Sequence, residues 1–485
     1  LRKMIAFSVL LITILFLGAC SGSDVANEET NDSSSNGGDG EGITLRVMDW
    51  SDSTRPIREE FHKQFMEKYP QVTNIEYTTL TQDQFRDTIL AAVRSGEAPD
   101  LFPPPLGFKL PALVEDGWFQ PLDPYVEEGF YDIFSEGLLA EGATMINGEV
   151  YAIPMDVPQM GTAVFYNKEL FKKAGLDPEQ PPKTYAEFRE YARKITEAGN
   201  GEFYGMIEGG RQTNRWAYTA RDWSAINGSG LSTASPVSLM TGEAPYHTDA
   251  VLDVFDLFAG LADDGSIHPQ TSGLSAPEAR QLFANGEAGF IIQGAWNIGL
   301  WNKENPELDY GVTAPPLPEG ERNGSMNLTV TPGLGISANT EHPEEAALYL
   351  QEFYGGGFFQ EEAVKQDFNF SVVDGISEEY ASGKMLEFYE IYSEYAVLAP
   401  DPSSKPKATK VFSEYTDVSP NVGEILQAVA ITGLRDYEPM LQELSKKTDA
   451  ALTKAIEDAK ANGEDVSIDD FTFSDWDPMS HHNQE

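Results

Sequence analysis

The chain has 485 residues, 41% of them hydrophobic, with 33 Lys and Arg against 78 Asp and Glu, for a formal net charge of −45. Such a surface repels phosphate backbones, which excludes nucleic acid as a partner, and its simplest consequence is solubility. A single cysteine rules out an internal disulfide framework, so stability must come from packing. The length calls for more than one domain, since single cores stop growing at roughly 250–300 residues.

Residues 1–19 carry Arg2 and Lys3, an apolar stretch from Ile5 to Phe16, and Leu17-Gly18-Ala19 ahead of Cys20. Basic, apolar, then small residues is the order of a secretory signal. The stretch falls short of the about 20 apolar residues of a spanning helix, and an uncleaved anchor is the alternative. Cleavage before Cys20 would remove two bases and no acid, leaving 31 − 78 = −47. Residues 20–42 then read as a flexible acidic tether. The run from Asn31 to Gly40 offers no apolar face to offset the entropy of ordering.

Order is expected from Ile43, where Ile43, Leu45 and Val47 alternate as in a strand. A helix follows with Ile57, Phe61 and Phe65 on one stripe and Pro56 near its first turn. Ile75 and Tyr77 mark a second strand. A second helix buries Phe85, Ile89, Ala92 and Val93 and stops at Gly96, and Pro99-Asp100-Leu101-Phe102 makes a third short strand. Strand, helix, strand, helix, strand predicts a parallel α/β sheet. Thr184 with Glu187 and Ser275 with Glu278 form capping boxes. Helical stripes recur at Val251, Val254, Phe255 and Phe258, and at Ala346, Ala347, Leu350 and Phe353. Residues 376–462 read as mostly helical. The acidic tail beyond Gly463 holds Phe471, Phe473 and Trp476, which predicts docking.

Signatures of catalysis and cofactors are thin. The six histidines (His62, His247, His268, His342, His481 and His482) include no i, i+4 pair, and no cysteine can join them as metal ligands. No nucleophile elbow and no phosphate-cradling loop occurs. Gly333-Leu334-Gly335-Ile336-Ser337-Ala338 imitates a dinucleotide fingerprint, but it follows Pro332 and lies far from the first βα unit. No cofactor and no metal is therefore expected. A glycosidase pair among the many carboxylates would depend on a spatial gap that spacing does not show.

The aromatic residues say more. Asp49-Trp50-Ser51-Asp52, Arg221-Asp222-Trp223-Ser224 and Gln293-Gly294-Ala295-Trp296-Asn297 set indoles beside short polar residues. An indole stacks on the C–H face of a sugar while carboxylates and amides take its hydroxyls. Core packing is the competing reading for each tryptophan. Trp50 follows a predicted strand, at the carboxyl end where open α/β sheets bind ligands.

Five segments together resemble a known family: Ala98-Pro99-Asp100-Leu101-Phe102 with the helix before it, Gly148-Glu149-Val150-Tyr151-Ala152-Ile153-Pro154-Met155-Asp156, Phe165-Tyr166-Asn167-Lys168-Glu169-Leu170, Phe283-Ala284-Asn285-Gly286-Glu287 through Trp296, and Pro332-Gly333-Leu334-Gly335-Ile336-Ser337. In this order, behind a lipobox-like Leu17-Gly18-Ala19-Cys20, they resemble the extracellular solute-binding lipoproteins of ABC importers, of the sugar-binding class common in Gram-positive bacteria. The resemblance implies an α/β fold of two lobes with hinge-crossing segments and a helical C-terminal part. The first lobe would hold 43–154 and return at about 298–340; the second would hold 155–297 and about 341–485. It further implies lipidation of Cys20, attachment to the outer face of the cell membrane, and a monomer that hands a carbohydrate to a permease driven by a separate ATPase, without chemistry of its own. Family binding positions fall on Trp50, Asp100, Asp156, Trp296 and Gly333, and local composition adds Asp52 and Trp223. A receptor of this fold for a peptide, polyamine or chelate is the first alternative, and a surface carbohydrate-cleaving enzyme the second. One departure is the Gly289-Phe290 pair, where the family usually has a methionine.

Overall fold

The computed structural model describes residues 42–482 other than Gln159. The signal segment, Cys20 and the tether up to residue 41 lie outside them. The first strands are β1 (Ile43–Asp49), β2 (Val72–Thr79) and β3 (Leu101–Phe102), linked by helices α1 (Arg55–Lys68) and α2 (Gln82–Ser95). As the alternation predicts, β1 buries Leu45 and Val47, and it runs parallel to both β2 and β3. α1 buries Ile57, Phe61 and Phe65 with a proline in its first turn. Thr81 and Gln84 cap α2 reciprocally, and it closes on Gly96 at φ 78°. Short elements follow: α3 (Leu110–Glu115), β4 (Phe119–Gln120), the hairpin β5 (Met145–Ile146) with β6 (Glu149–Val150), and β7 (Ala152–Ile153).

The chain then crosses to a second sheet. Its strands are β8 (Ala163–Asn167), β9 (Tyr204–Ile207), β10 (Ala288–Gln293) and β11 (Tyr310–Thr313), in the order β11-β8-β10-β9. Around them stand α4 (Lys168–Lys173), α5 (Tyr185–Gly199), α6 (Thr213–Ile226), α7 (Asp249–Asp263), α8 (Ala276–Ala284) and α9 (Trp296–Glu304). Both predicted capping boxes form, at the starts of α5 and α8. Asn167 caps α4 by accepting the Leu170 N–H, and Phe165 is buried, as expected of a strand-and-turn segment. Phe290, at the departure from the family pattern, fills the core of this sheet against Phe188, ring centroids 4.5 Å apart.

After β12 (Met326–Leu328) the chain returns. β13 (Leu334–Ser337) runs antiparallel to β3, β4 and β7 and completes the first sheet. α10 (Pro343–Gly355) and α11 (Phe358–Lys365) pack on that sheet, with Ala346, Leu350 and Phe353 in one core with Val47, Ile57 and Phe61. This corrects the boundaries read from sequence. The segment from 298 was expected in the first lobe, yet β11 pairs with β8 in the second sheet; the segment from 341 was expected in the second, yet α10 and α11 cover the first. A strand's partner depends on register and core fit, which its own residues do not display.

The C-terminal part is helical, as predicted: α12 (Ile376–Tyr380), α13 (Gly383–Tyr395), α14 (Pro406–Glu414), α15 (Val422–Gln427) and α16 (Glu438–Ala461), with β14 (Ala396–Leu398) pairing β12. Leu441 and Leu444 of α16 join the core of the second sheet. The tail docks: Phe471 and Trp476 are buried, and His481 Nδ1 accepts the Leu398 N–H at 3.0 Å. No described helix is long and apolar enough to cross a membrane.

Candidate functional site

Topology brings two sheet edges together. β1, β2 and β3 are parallel, so Trp50, Thr79 and Pro103 leave the first sheet at one edge, where β7 also ends and antiparallel β13 begins. In the second sheet β9 and β10 are parallel and β8 antiparallel, so Glu208, Gln293 and Thr162 share one edge. Residues 154–161 run directly from the first edge to the second and 329–333 return beside them, while the segment after α11 reaches across, the Asp367 carbonyl accepting the Gly299 N–H, before Val373 pairs with Phe134 of the first lobe. The carboxyl ends of both sheets therefore border one interlobe cleft, the position in which open α/β sheets hold ligands.

On the first lobe Trp50 is partly buried, its ring edge-on to Phe85 at 5.1 Å. Beneath it lies a buried ion pair, Asp49 Oδ2 to Arg58 Nη1 at 2.9 Å, with both side chains at most 1% exposed. The other Asp49 oxygen accepts the Ser51 N–H at 2.7 Å and the Tyr77 hydroxyl at 3.0 Å. Arg58 lies over Phe353 at 4.7 Å; burial is the largest influence and lowers its basicity, but Asp49 together with Tyr77, Tyr349 and Tyr354 more than offsets it, so the guanidinium holds its proton more firmly than a free arginine. Asp156 stands at the crossing. Its Oδ1 accepts from Asn369 Nδ2 at 2.6 Å, so the first crossing is tied to the segment that follows α11. Burial pushes the Asp156 carboxyl up to about 7, and Asp49 adds to the rise while Arg58 and Asn369 oppose it.

That shift has a consequence for stability. The folded chain binds the Asp156 proton more tightly than the unfolded chain, whose value is about 3.9. The associated stability is therefore present below about pH 4 and is lost as pH rises through about 7. Asp156→Asn keeps an acceptor for Asn369 and removes the titration. Melting temperatures from pH 4 to 8 should fall less steeply in the variant, which should exceed the parent at pH 8; an unchanged slope would place the pH dependence elsewhere.

On the second lobe Trp296 opens α9, partly exposed and outside every core cluster. Its ring lies so close over Gly294 that a Cβ there would come within 2.2 Å of it, and within 3.3 Å at Gly161. A polar chain backs this platform. Arg280 Nη1 donates to Asn297 Oδ1 at 3.0 Å, Asn297 Nδ2 to Gln293 Oε1 at 3.2 Å, and Gln293 Nε2 to Glu208 Oε1 at 3.4 Å. Glu208 Oε1 also faces Arg215 Nε at 3.5 Å, and Arg215 Nη2 donates to the Ile292 and Gly161 carbonyls. Glu208 is buried, which raises its carboxyl, with Arg215 and the Gly209 N–H opposing. Burial likewise makes the Arg280 guanidinium less basic, and the Asp52 carboxylate of the opposite lip offsets part of the loss.

The sequence-predicted residues divide. Trp50 and Asp52 follow β1, Trp296 opens α9 after β10, Asp156 lies on the first crossing, and Gly333 sits where β13 meets that crossing. A Cβ at 333 would lie 2.3 Å from the Ile153 carbonyl, so only glycine allows that approach. Trp223 is a correction. It is fully buried, with Nε1 donating to the Thr162 carbonyl at 3.0 Å and its ring among Tyr185, Phe188 and Phe258. Asp100 is a second correction. It begins β3, at the sheet edge away from the cleft, and its oxygens accept from the Arg46 N–H at 2.7 Å and the Thr340 hydroxyl at 2.6 Å. It clips β1 to the end of β13. Thr340→Val should accordingly cost about 1–3 kcal/mol in denaturant unfolding and leave ligand affinity unchanged.

Arg58, Glu208, Arg215 and Arg280 were not anticipated, and Asp49, Gln293 and Asn297 were read only as polar neighbours of the indoles. The rule that selected Trp50, the first residue past a parallel strand, finds Glu208 once Tyr204–Ile207 is known to be a strand.

Residues 50–355, more than half of the chain, match the family of bacterial extracellular solute-binding proteins. The chain belongs to this family. Among relatives of this solute-binding protein, a candidate binding protein of Brucella abortus (strain 2308) is 25% identical over 422 residues, covering 85% of the chain and 93% of the relative. The multiple sugar-binding protein of Streptococcus mutans is 28% identical over 216 residues, 42% of the chain and 47% of the relative. Among solved structures, the solute-binding protein RafE in complex with raffinose superposes with a TM-score of 0.62 at 17% identity, covering 85% of the chain and 100% of that structure. The two-lobed α/β fold is thus that of solute-binding proteins.

Proposed function

We propose that this protein captures an oligosaccharide in the interlobe cleft and delivers it to the permease of an ABC importer driven by a separate ATPase. The observation that carries the reading is the pair of partly exposed indoles, Trp50 and Trp296, one on each lobe, each held by a rigid surround. Indoles on both lobes suit a sugar ring, which presents C–H faces on both sides and hydroxyls at its rim. Asp52 and Asp156 are acceptors for those hydroxyls, and the Gly333 backbone lies at the same edge. The work is differential closure: a ligand that touches both lobes favours the closed state over the open one. Two names support the solute class, raffinose on the structurally similar protein and multiple sugars on the Streptococcus relative.

A melting-shift screen with raffinose and other oligosaccharides tests the reading. A rise with at least one saccharide is expected; no rise with any saccharide, together with a rise on adding peptides or metal chelates, would reject it. In the same reading Cys20 carries the lipid that holds a monomeric receptor on the outer face of the membrane. Cys20→Ser should release the protein into the medium with its affinity unaltered; retention at the membrane would reject lipid anchoring.

A further inference from the structure

The charges along the cleft carry this reading further, to the class of sugar. Anionic solutes are held by guanidinium forks or ammonium groups with free N–H donors. Three arginines stand at the two edges; Arg58 and Arg215 are engaged by carboxylate or carbonyl oxygens, and Arg280 by one amide oxygen. Arg58 is sealed beneath the surface against Asp49. Arg215 is 6% exposed and spends its donors on Glu208 and on the Ile292 and Gly161 carbonyls. Arg280 is held by Asn297 and lies in the field of Asp52. Farther along the lips, Arg55 pairs with Glu59 at 2.7 Å and Arg211 with Glu278 at 3.7 Å. The carboxylates are less committed. Asp52 is exposed with no side-chain ion pair among the described residues, and Asp156 has a neutral amide as its hydrogen-bond donor.

We propose that the cleft selects uncharged or basic glycosides and rejects those bearing phosphate or carboxylate groups. The inference rests on the carbohydrate reading of the same site. Closure over an anion would remove it from water beside the Asp52 carboxylate, where like charges repel in a reduced dielectric. Arg58 and Arg215 would first have to give up a carboxylate or carbonyl partner, and the charge of Arg280 already faces that of Asp52. A neutral sugar meets no such cost, and a basic nitrogen gains from Asp52.

Calorimetric titration of the mature chain tests this with raffinose and chitotriose as neutral probes, the fully deacetylated glucosamine trimer as the basic one, and trigalacturonate and glucose 6-phosphate as anions. At low salt the anions should bind roughly 100-fold more weakly than the best neutral or basic trisaccharide, and the gap should narrow as salt is raised. Asp52→Asn, which removes the lip charge opposite Arg280, should narrow it several-fold. An anionic saccharide bound as tightly as the neutral ones overturns the selectivity and leaves the carbohydrate reading standing. A gap that Asp52→Asn does not change overturns its assignment to the lip charges. Absence of binding by every saccharide, charged or not, overturns the carbohydrate reading and this inference with it.

Discussion

Truncation of Trp223 to alanine should cost about 3–5 kcal/mol of stability, whereas the same truncation of Trp296 should leave the melting temperature of the unliganded protein nearly unchanged. The two residues share an indole and a polar sequence context, and the fold separates them. Trp223 is 0% exposed, its N–H is used by the Thr162 carbonyl, and three aromatic rings contact it, so alanine leaves a cavity and an unpaired buried carbonyl. Trp296 rests on two glycines and belongs to no core cluster. Its loss should appear in binding, as a weakening of about 10-fold or more for the saccharide that raises the melting temperature most. Urea unfolding followed by circular dichroism, with calorimetric titration of the same variants, separates the outcomes. A loss of several kcal/mol in Trp296→Ala would make that ring core, and an undiminished stability in Trp223→Ala would contradict its packing.

Asp49→Ala should be the most damaging single change at the cleft floor, at about 3–5 kcal/mol. The pair with Arg58 is closed to solvent, so removing the carboxylate leaves a guanidinium buried without its counter-charge, against aromatic rings and near the Met155 sulfur. The double variant Asp49→Ala with Arg58→Met should recover at least about half of that loss, because it removes the stranded charge and keeps apolar volume under Phe353. A double variant no better than Asp49→Ala alone would show that the carboxylate acts through Ser51 and Tyr77, which also bond to it. The expected recovery would identify the ion pair as a device that fixes β1 to α1 just below Trp50.

Much of the fold was legible from local pattern. Alternation at Leu45 and Val47, the stripe at Ile57, Phe61 and Phe65, and the boxes at Thr184 and Ser275 each report a choice made within about ten residues, and each element formed where the pattern placed it. The same local logic placed three candidate residues at strand ends: Trp50 follows β1, Trp296 comes after β10, and Asp156 comes after β7. It failed where a side chain's partner comes from far along the chain. Asp100 meets Thr340, 240 residues away, and Trp223 meets Thr162, 61 away, and both bonds turn a plausible ligand contact into a structural one. Glu208 and Arg280 went unread because their role depends on neighbours 85 and 17 residues away.

By itself the sequence determined the parallel start of the first sheet and the helix caps, since these depend on hydrophobic period and local capping chemistry. It also determined the acidic balance, which fixes what the surface repels. Only the tertiary structure decided that residues 298–328 belong with the second sheet and α10 and α11 with the first, that Trp223 and Asp100 serve the fold, and that Arg58 and Arg215 are already engaged. Those outcomes depend on which surfaces pack together after the chain has crossed three times between lobes. Packing of that kind is a property of matched shapes and charges brought together in space, and no window along the chain contains both partners.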